Sequence, residues 1–381
     1  MNVTILTLLV LPSLQVSFIK VKCEVEIPPF TPPNSQIYIA GNFNGWHPKD
    51  PRYILKEEDK NRYTITLELP VGEKIEFKIT RGSWEYVEKG ERGEEIPNRI
   101  LEAFKDTTVK IKVYNWRDLV EPIKPEKHTI TGNVKTFTLQ SRYLKYYNPR
   151  KIWIYLPPDY ETSGKNYPVL YMHDGQNLFD EAESFAGEWK VDETLESMYK
   201  ESNFGLIVVG IENAREYRID EYSPFFNQQY KRGGEADLYL KFIVEELKPY
   251  VDSTYRTLKD DIALLGSSLG GLISIYGGFK YPETFKKIGS MSGAFWFNPE
   301  IVELLISAKK VPEKIYIDYG KRESEDPLKY IEQNEKVIKT IKGTKSLKIE
   351  NILIVVDEEG IHHESAWSRR LKSAIEFLFK N

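Results

Sequence analysis

One cysteine, Cys23, is all the thiol chemistry the chain has. It can close no intramolecular disulfide and has no second thiol for a CxxC redox pair or a thiolate zinc site, so frameworks of that kind are excluded. An excess of charge of one sign is lacking too. The 53 basic and 57 acidic residues are interspersed rather than blocked and leave a formal net charge of −4, which offers no electrostatic footprint to nucleic acid or to an anionic membrane surface. The apolar run Ile5 to Leu11, followed by Pro12, Ser13 and Gln15, falls far short of the roughly 20 residues of a membrane span. It reads in one of two ways: residues 1–15 are the export signal of a periplasmic or extracellular protein, or they are the loose N-terminus of a cytoplasmic one. No Lys or Arg precedes the run and no small-x-small cleavage site follows it, which weighs against export. No internal repeat and no low-complexity tract is present.

What the chain does have is an ordinary globular composition, 41% hydrophobic and 29% charged over 381 residues. That length predicts two to three units at about 150 residues each, and two are expected. Dense Lys and Glu with four methionines suit a thermostable protein. From Phe18 to Trp116 the segments FIKVKCEVEI, QIYIAG, RYTITLELP, KIEFKIT and TVKIKVY alternate with Pro, Gly and Asn turn signals, which predicts a small β-sandwich over 16–117. In the first segment Val21, Cys23, Val25 and Ile27 share the core face. Residues 118–129, DLVEPIKPEKHT, carry two prolines and no periodicity and read as a linker. Over 130–381 the apolar strands KIWIYL, PVLYMH, GLIVVGI, IALLG, KIYIDYG and ILIVV alternate with helix-like segments. Their unbroken apolar character predicts an α/β sheet with helices on both faces.

Gly266, Ser268 and Gly270 form G-x-S-x-G directly after the strand IALLG and before a helix-like stretch, the context of a nucleophile elbow in an α/β-hydrolase fold. A serine there needs a histidine base, which in this fold follows the nucleophile in the chain. Of five histidines, His47, His128 and His173 precede Ser268, which leaves His362 and His363 after the last strand. Adjacent side chains rarely converge on one point, so one of the two is a loop residue. For the acid, Glu323 stands where the chain leaves the strand IYIDYG, whereas Asp318 lies within that strand as a second choice; Glu325 and Asp326 read as the solvent-facing start of a helix. The oxyanion donors expected are the amide of Leu269 and that of Gly175 or Gln176, in the loop after PVLYMH. A metal cluster of His173, Asp174, His362 and His363 lacks supporting spacing, so no metal and no cofactor are expected.

These residues resemble the enterochelin-esterase-like and esterase-D-like hydrolases, which include feruloyl and acetyl xylan esterase domains. The resemblance covers roughly residues 130–381 and rests on YMHDGQNLFD, FAGEWKVDETL, VVGIEN, REYRIDEYSP, LLGSSLGG, the G-x-x-E of Gly320 and Glu323, and HHESAW. In that family the base precedes a tryptophan by five positions, as His362 precedes Trp367, so the resemblance favours His362 over His363. The N-terminal stretches IYIAGNFNGWHP, RGSWEYVEKG and PNRIL resemble starch- and glycogen-binding modules, which implies α-glucan stacking on Trp46 and Trp84; an immunoglobulin-like structural domain is the competing reading.

The expectation is therefore a serine carboxylesterase, with Ser268 as nucleophile, His362 as base and Glu323 as acid. It acts on a small ester, carbohydrate-linked acyl or feruloyl esters and siderophore trilactones both fitting the family, and Trp189, Phe295 and Trp296 are expected at the acyl pocket. The competing readings are an acyltransferase using the same triad and a non-catalytic glucan-binding protein that has kept the fold.

Overall fold

A computed structural model of the chain describes residues 17–94, 96–120, 128–184, 187–324, 326–344 and 347–380. The chain divides into two units, residues 1–123 and 124–381. Residues 1–15, most of 118–129, and Glu325 lie outside the described residues.

The described residues of the N-terminal unit form two larger sheets on one core and a third, two-stranded sheet of Glu88–Lys89 and Asn115–Trp116. A four-stranded sheet runs Lys56–Asp59, Arg62–Pro70, Phe18–Glu26, Thr107–Lys112, and a three-stranded sheet runs Tyr38–Gly41, Lys74–Thr80, Arg99–Glu102. The alternation along the first strand sets its register: Val21, Cys23, Val25 and Ile27 are buried, while Lys20 and Glu26 are exposed. A one-residue slip would turn every one of those side chains to the wrong face. Cys23 meets Val21, Val25, Ile39 and Phe77 in the shared core, where burial raises its thiol pKa to about 11. It packs there as a small apolar residue. Trp116 is the fully buried tryptophan of this core, and its indole N–H donates to Thr31 Oγ1 at 2.8 Å.

The second unit is organised by an eight-stranded sheet in the order Asn133–Leu139, Arg150–Leu156, Ile207–Ile211, Tyr167–Met172, Thr257–Ser267, Lys287–Met291, Lys314–Gly320, Ile352–Asp357. Numbered along the chain within this sheet, the order is 1-2-4-3-5-6-7-8. Arg150–Leu156 pairs antiparallel with both neighbours, and the pairs from Ile207–Ile211 to Ile352–Asp357 are all parallel. This is the α/β-hydrolase arrangement that the sequence predicts. Successive residues of a strand feed opposite layers: Ile152, Ile154, Val169 and Tyr171 join one core, Trp153, Tyr155, Leu170 and Met172 the other. That two-sided burial is why the strands read as unbroken apolar runs. The parallel pairing brings the C-terminal ends of strands five to eight to one sheet edge, where functional loops of open parallel sheets collect.

Replacing Trp116 by Ala removes the largest side chain from the smaller core and leaves the Thr31 hydroxyl without its donor. The expected loss is about 3–5 kcal/mol, seen as a lowered thermal transition for the N-terminal unit while the second unit melts as before.

Candidate active site

Ser268 caps the helix Leu269–Lys280 at the end of the fifth strand, with φ 57° and ψ −121°. This backbone region is strained for any residue but glycine, and it is held only where the surroundings over-determine it. Here they do. The Ser268 amide donates to Met291 O at 3.0 Å, and its carbonyl accepts from Gly271, Leu272 and Ala294 at 2.9–3.1 Å. A Cβ at Gly266 would meet His173 Cδ2 at 2.7 Å, and one at Gly270 would come within 3.4 Å of His173 and Asp174. The flanking glycines of the motif thus let the His173–Asp174 segment lie against the turn. As the first residue of a helix whose opening amides have no partner within the helix, Leu269 stands at the end that favours negative charge.

The His173–Asn177 loop is locked from below. Asp174 forms an ion pair with Arg218 at 2.6 Å and accepts from Asn213 Nδ2 at 2.6 Å, and Arg218 Nη2 reaches Ser267 O at 3.3 Å. Burial tends to raise the Asp174 carboxyl, but Arg218 outweighs it and holds the group below its ordinary range. His173 is buried, its Nδ1 lies 2.8 Å from Tyr239 Oη, and burial lowers its pKa to about 3. It is therefore a neutral packing element. Gly175 is buried and Gln176 Oε1 accepts from Asn213 N at 3.2 Å.

At the end of the seventh strand Glu323 is buried and serves four donors: Ser292 Oγ, Gly320 N and Tyr330 Oη at 2.6 Å, and His362 Nδ1 at 3.1 Å. Burial alone would raise its pKa, but the bonds from His362, Ser292 and Tyr330 prevail and lower it. The G-x-x-E spacing has a steric reason: a Cβ at Gly320 would collide with Gly360 and come to 2.7 Å from Glu323 Oε1. Only glycine lets the Glu323 loop and the His362 loop approach this closely. His362 stands edge-on to Trp367, ring centroids 5.1 Å apart at 87°.

His363 has a different place. It caps the helix Glu364–Phe379, its Nδ1 accepting from Ser365 N at 3.1 Å. Asp318 sits in a buried network with Arg370 Nη2 at 3.1 Å and Tyr316 Oη at 2.9 Å, and burial lifts its pKa to about 6. Asp326 caps the helix Pro327–Lys342, accepting from Lys329 N. His128 forms a 2.6 Å pair with Asp180 in the second unit.

Sequence reasoning missed the residues that hold Glu323 in place. Ser292, at φ 50°, donates to Glu323 and accepts from Trp367 Nε1 at 2.8 Å and Arg370 Nη2 at 3.2 Å. No local pattern marks such a residue except its position just after a buried strand. Of the three aromatics expected at the acyl pocket, Trp189 lies in the core against Trp367 at 5.6 Å and Phe295 is buried in the opposite core. Trp296 alone of them keeps free surface, 42% exposed, with Tyr230 at 5.9 Å. Among the described residues the metal-type grouping is not His173, Asp174, His362 and His363 but Glu188, Asp192 and Glu193.

In the N-terminal unit Trp46 and Trp84 are half-buried, their ring centroids 6.2 Å apart at 44°. They line a cavity of about 340 Å³ together with Lys78, Val87, Asn98 and Arg117. Trp46 sits at φ 59° in a loop closed by Asn44, whose Oδ1 accepts from Gly41 N at 2.9 Å. Asn98 Nδ2 donates to Glu76 at 3.2 Å and Lys78 Nζ to Ile96 O.

Residues 145–378 match the model of the Esterase family, described as "Putative esterase". The uncharacterized protein YbbA of Bacillus subtilis (strain 168) is 28% identical over 244 residues, 60% of this chain and 92% of that protein. The α-amylase of Niallia circulans is 42% identical over 95 residues, 25% of this chain but 7% of the amylase, and this match falls in the N-terminal region. The enterobactin esterase FES of Shigella flexneri, solved in the presence of enterobactin, is 18% identical with a TM-score of 0.52, covering 97% of this chain and 95% of that one. At that identity the likeness is one of fold.

Glu364, the first residue of the last helix, is lifted to about 7, first by burial and then by the charge of Asp174. The native state therefore keeps a proton that the unfolded chain gives up near pH 4, so stability falls as pH rises from about 4 to 7, by up to about 3 kcal/mol. Urea midpoints measured from pH 5 to 8 should fall in the wild type and fall less steeply in Glu364→Gln; the slope left in the variant belongs to the other raised carboxyls, Glu188, Asp192 and Asp318.

Proposed function

The chain belongs to the Esterase family and hydrolyses esters, and on that premise we propose that it is a serine carboxylesterase in which Ser268 is the nucleophile, His362 the general base and Glu323 the acid. The observation that carries this reading is the pairing of His362 Nδ1 with a buried, ionised Glu323 at 3.1 Å, from loops at the sheet edge that also carries the strained Ser268. Glu323 fixes the imidazole tautomer so that Nε2 is the basic nitrogen. As Ser268 Oγ bonds to the ester carbonyl carbon, its proton passes to His362 Nε2, and the carboxylate stabilises the imidazolium that forms. The carbonyl π pair moves onto oxygen, where the amide of Leu269 and that of Gly175 or Gln176 receive it. The neighbouring amides of Asp174 and Asn177 are committed to Tyr222 Oη and Asp174 O, which supports Gly175 or Gln176 as the second donor. Collapse of the intermediate expels the alcohol, protonated by His362, and water then releases the acid by the same steps in reverse roles.

The helix cap favours His362 over His363 as the base: the Nδ1 of His363 is engaged with Ser365. Asp318 is the weaker candidate for the acid, since its carboxylate is engaged by Arg370 and Tyr316.

The substrate class is an acyl or aryl-acyl ester carried on carbohydrate, with the N-terminal unit binding α-glucan. What supports this is the tilted Trp46–Trp84 pair in a cavity that also offers Lys78, Asn98 and Arg117. Two apolar ring faces with polar groups beside them match the apolar C–H faces and equatorial hydroxyls of glucose units. The similarity of this region to the Niallia circulans amylase points the same way.

Hydrolysis of p-nitrophenyl acetate and butyrate by the wild type and by Ser268→Ala tests the chemistry; the variant should lose about 10³-fold or more of kcat with its circular dichroism unchanged. His362→Ala should fall comparably, while His363→Ala should keep its rate and lose only a little stability. Equal rates in the wild type and Ser268→Ala would overturn the serine mechanism. For the N-terminal unit, calorimetric titration with β-cyclodextrin should show binding weakened at least about tenfold, or about 1.4 kcal/mol, in Trp46→Ala and in Trp84→Ala. Unchanged ester hydrolysis in both variants would show that the cavity, not the catalytic unit, was affected.

A further inference from the structure

The helix Val191–Ser202 begins beside a group that the proposed esterase chemistry does not use. Glu188, just before the helix, and Asp192 and Glu193 in its first turn each bring a carboxylate oxygen within 4.8 Å of the other two. Acidic residues in the first turn of a helix are ordinarily exposed and need no further explanation. These are not exposed: Glu188 is 6% and Asp192 0% accessible. Glu188 Oε1, Asp192 Oδ1 and Glu193 Oε2 are buried and take no hydrogen bond. The other oxygen of Asp192 accepts from Thr131 N at 2.5 Å and Thr131 Oγ1 at 3.2 Å, so that side chain is anchored by one atom and offers the second. The cation nearest in sequence, Lys190, is an exposed side chain. Buried carboxylates are normally paired with a cationic side chain or coordinate a metal.

We propose that Glu188, Asp192 and Glu193 bind a hard divalent cation, calcium, through one carboxylate oxygen each. An all-oxygen set drawn from a loop and a helix start suits calcium, which accepts irregular coordination and completes it with water or carbonyl oxygens, better than magnesium, which demands a near-ideal octahedron. Such a site departs from the expectation of no metal, which rested on histidine spacing. Burial, and after it the neighbouring Glu193 carboxyl, raises Glu188 to about 7 and Asp192 to about 8, and a bound cation would offset the crowding of negative charge. The consequence reaches the histidine loop. Trp189, next to Glu188, donates its amide to Asn177 O at 2.8 Å and packs on Trp367 at 5.6 Å, and Asn177 Nδ2 bonds Glu364 at 3.2 Å. A cation here would brace the segment against which the start of the last helix rests.

The test does not depend on ester hydrolysis. Terbium is titrated into the EDTA-treated full chain, with tryptophan-sensitised emission read and then competed with calcium; thermal unfolding is compared in EDTA and in calcium. The expected result is saturable emission, enhanced by the adjacent Trp189 and displaced by calcium, and a melting temperature for the second unit higher by about 5 °C at 100-fold excess over Kd. Glu188→Gln and Asp192→Asn should each weaken the terbium affinity at least tenfold. In EDTA both should stay folded and melt at or above the wild-type temperature, because each removes a buried repulsion; that separates loss of binding from loss of fold. Absence of saturable emission or of a calcium-dependent shift in the wild type would overturn the site, and so would the same affinity and shift in the double variant.

Discussion

The arrangement at the sheet edge depends on one conformational constraint, the left-handed backbone of Ser268. A residue at φ 57° outside glycine holds only because four hydrogen bonds and two close-packed glycines leave it no alternative. The loop His173–Asn177 can lie against the turn because Gly266 and Gly270 have no side chains, and that loop is in turn pinned by the Asp174–Arg218 pair. An Arg buried with its Asp partner is weak evidence for stability in itself. Its value here is positional, since Arg218 ties the loop to the carbonyl of Ser267, one residue before the serine.

The same logic recurs at Glu323. A carboxylate removed from water stays ionised only if enough donors replace the lost hydration. Ser292, Tyr330, Gly320 and His362 do so, and Arg370 lies 3.6 Å away. Asp318, two strand positions before Gly320, has fewer donors relative to its burial and moves in the opposite direction, to about 6. Two acids five residues apart are thereby set to different protonation behaviour by their surroundings alone. Glu188, Asp192 and Glu193 lie at the far end of this scale, buried carboxylates with oxygens that no protein donor meets.

Several features were legible because they are periodic or tied to chain order. The alternation of Val21, Cys23 and Val25 announces a strand with one wet face, and the unbroken apolar runs of the second unit announce a sheet covered on both sides. The order of serine, acid and histidine narrowed the histidine to an adjacent pair. The preference for His362 over His363 came from the resemblance to known esterases, and the helix cap that occupies His363 favours the same choice. The aromatic residues were less readable, because composition does not say which face of a loop meets solvent. Trp189 and Phe295 pack inward and Trp296 outward, a choice made by the core neighbours that each can reach. Trp116, rather than Trp46 or Trp84, fills the small core, which leaves the latter two at the cavity.

By itself the sequence determined the class of fold, the two-part organisation of its patterns and the identity of the serine turn, since each follows from local periodicity, turn chemistry or the steric need for glycine beside a strained residue. Only the tertiary structure decided how Ser292, Tyr330 and Arg370 surround Glu323, how His363 becomes a cap, and how three carboxylates meet at the start of one helix. Those contacts join residues up to 78 positions apart in the chain, and their energies depend on burial and on donor geometry, neither of which exists until the strands have taken their order in the sheet.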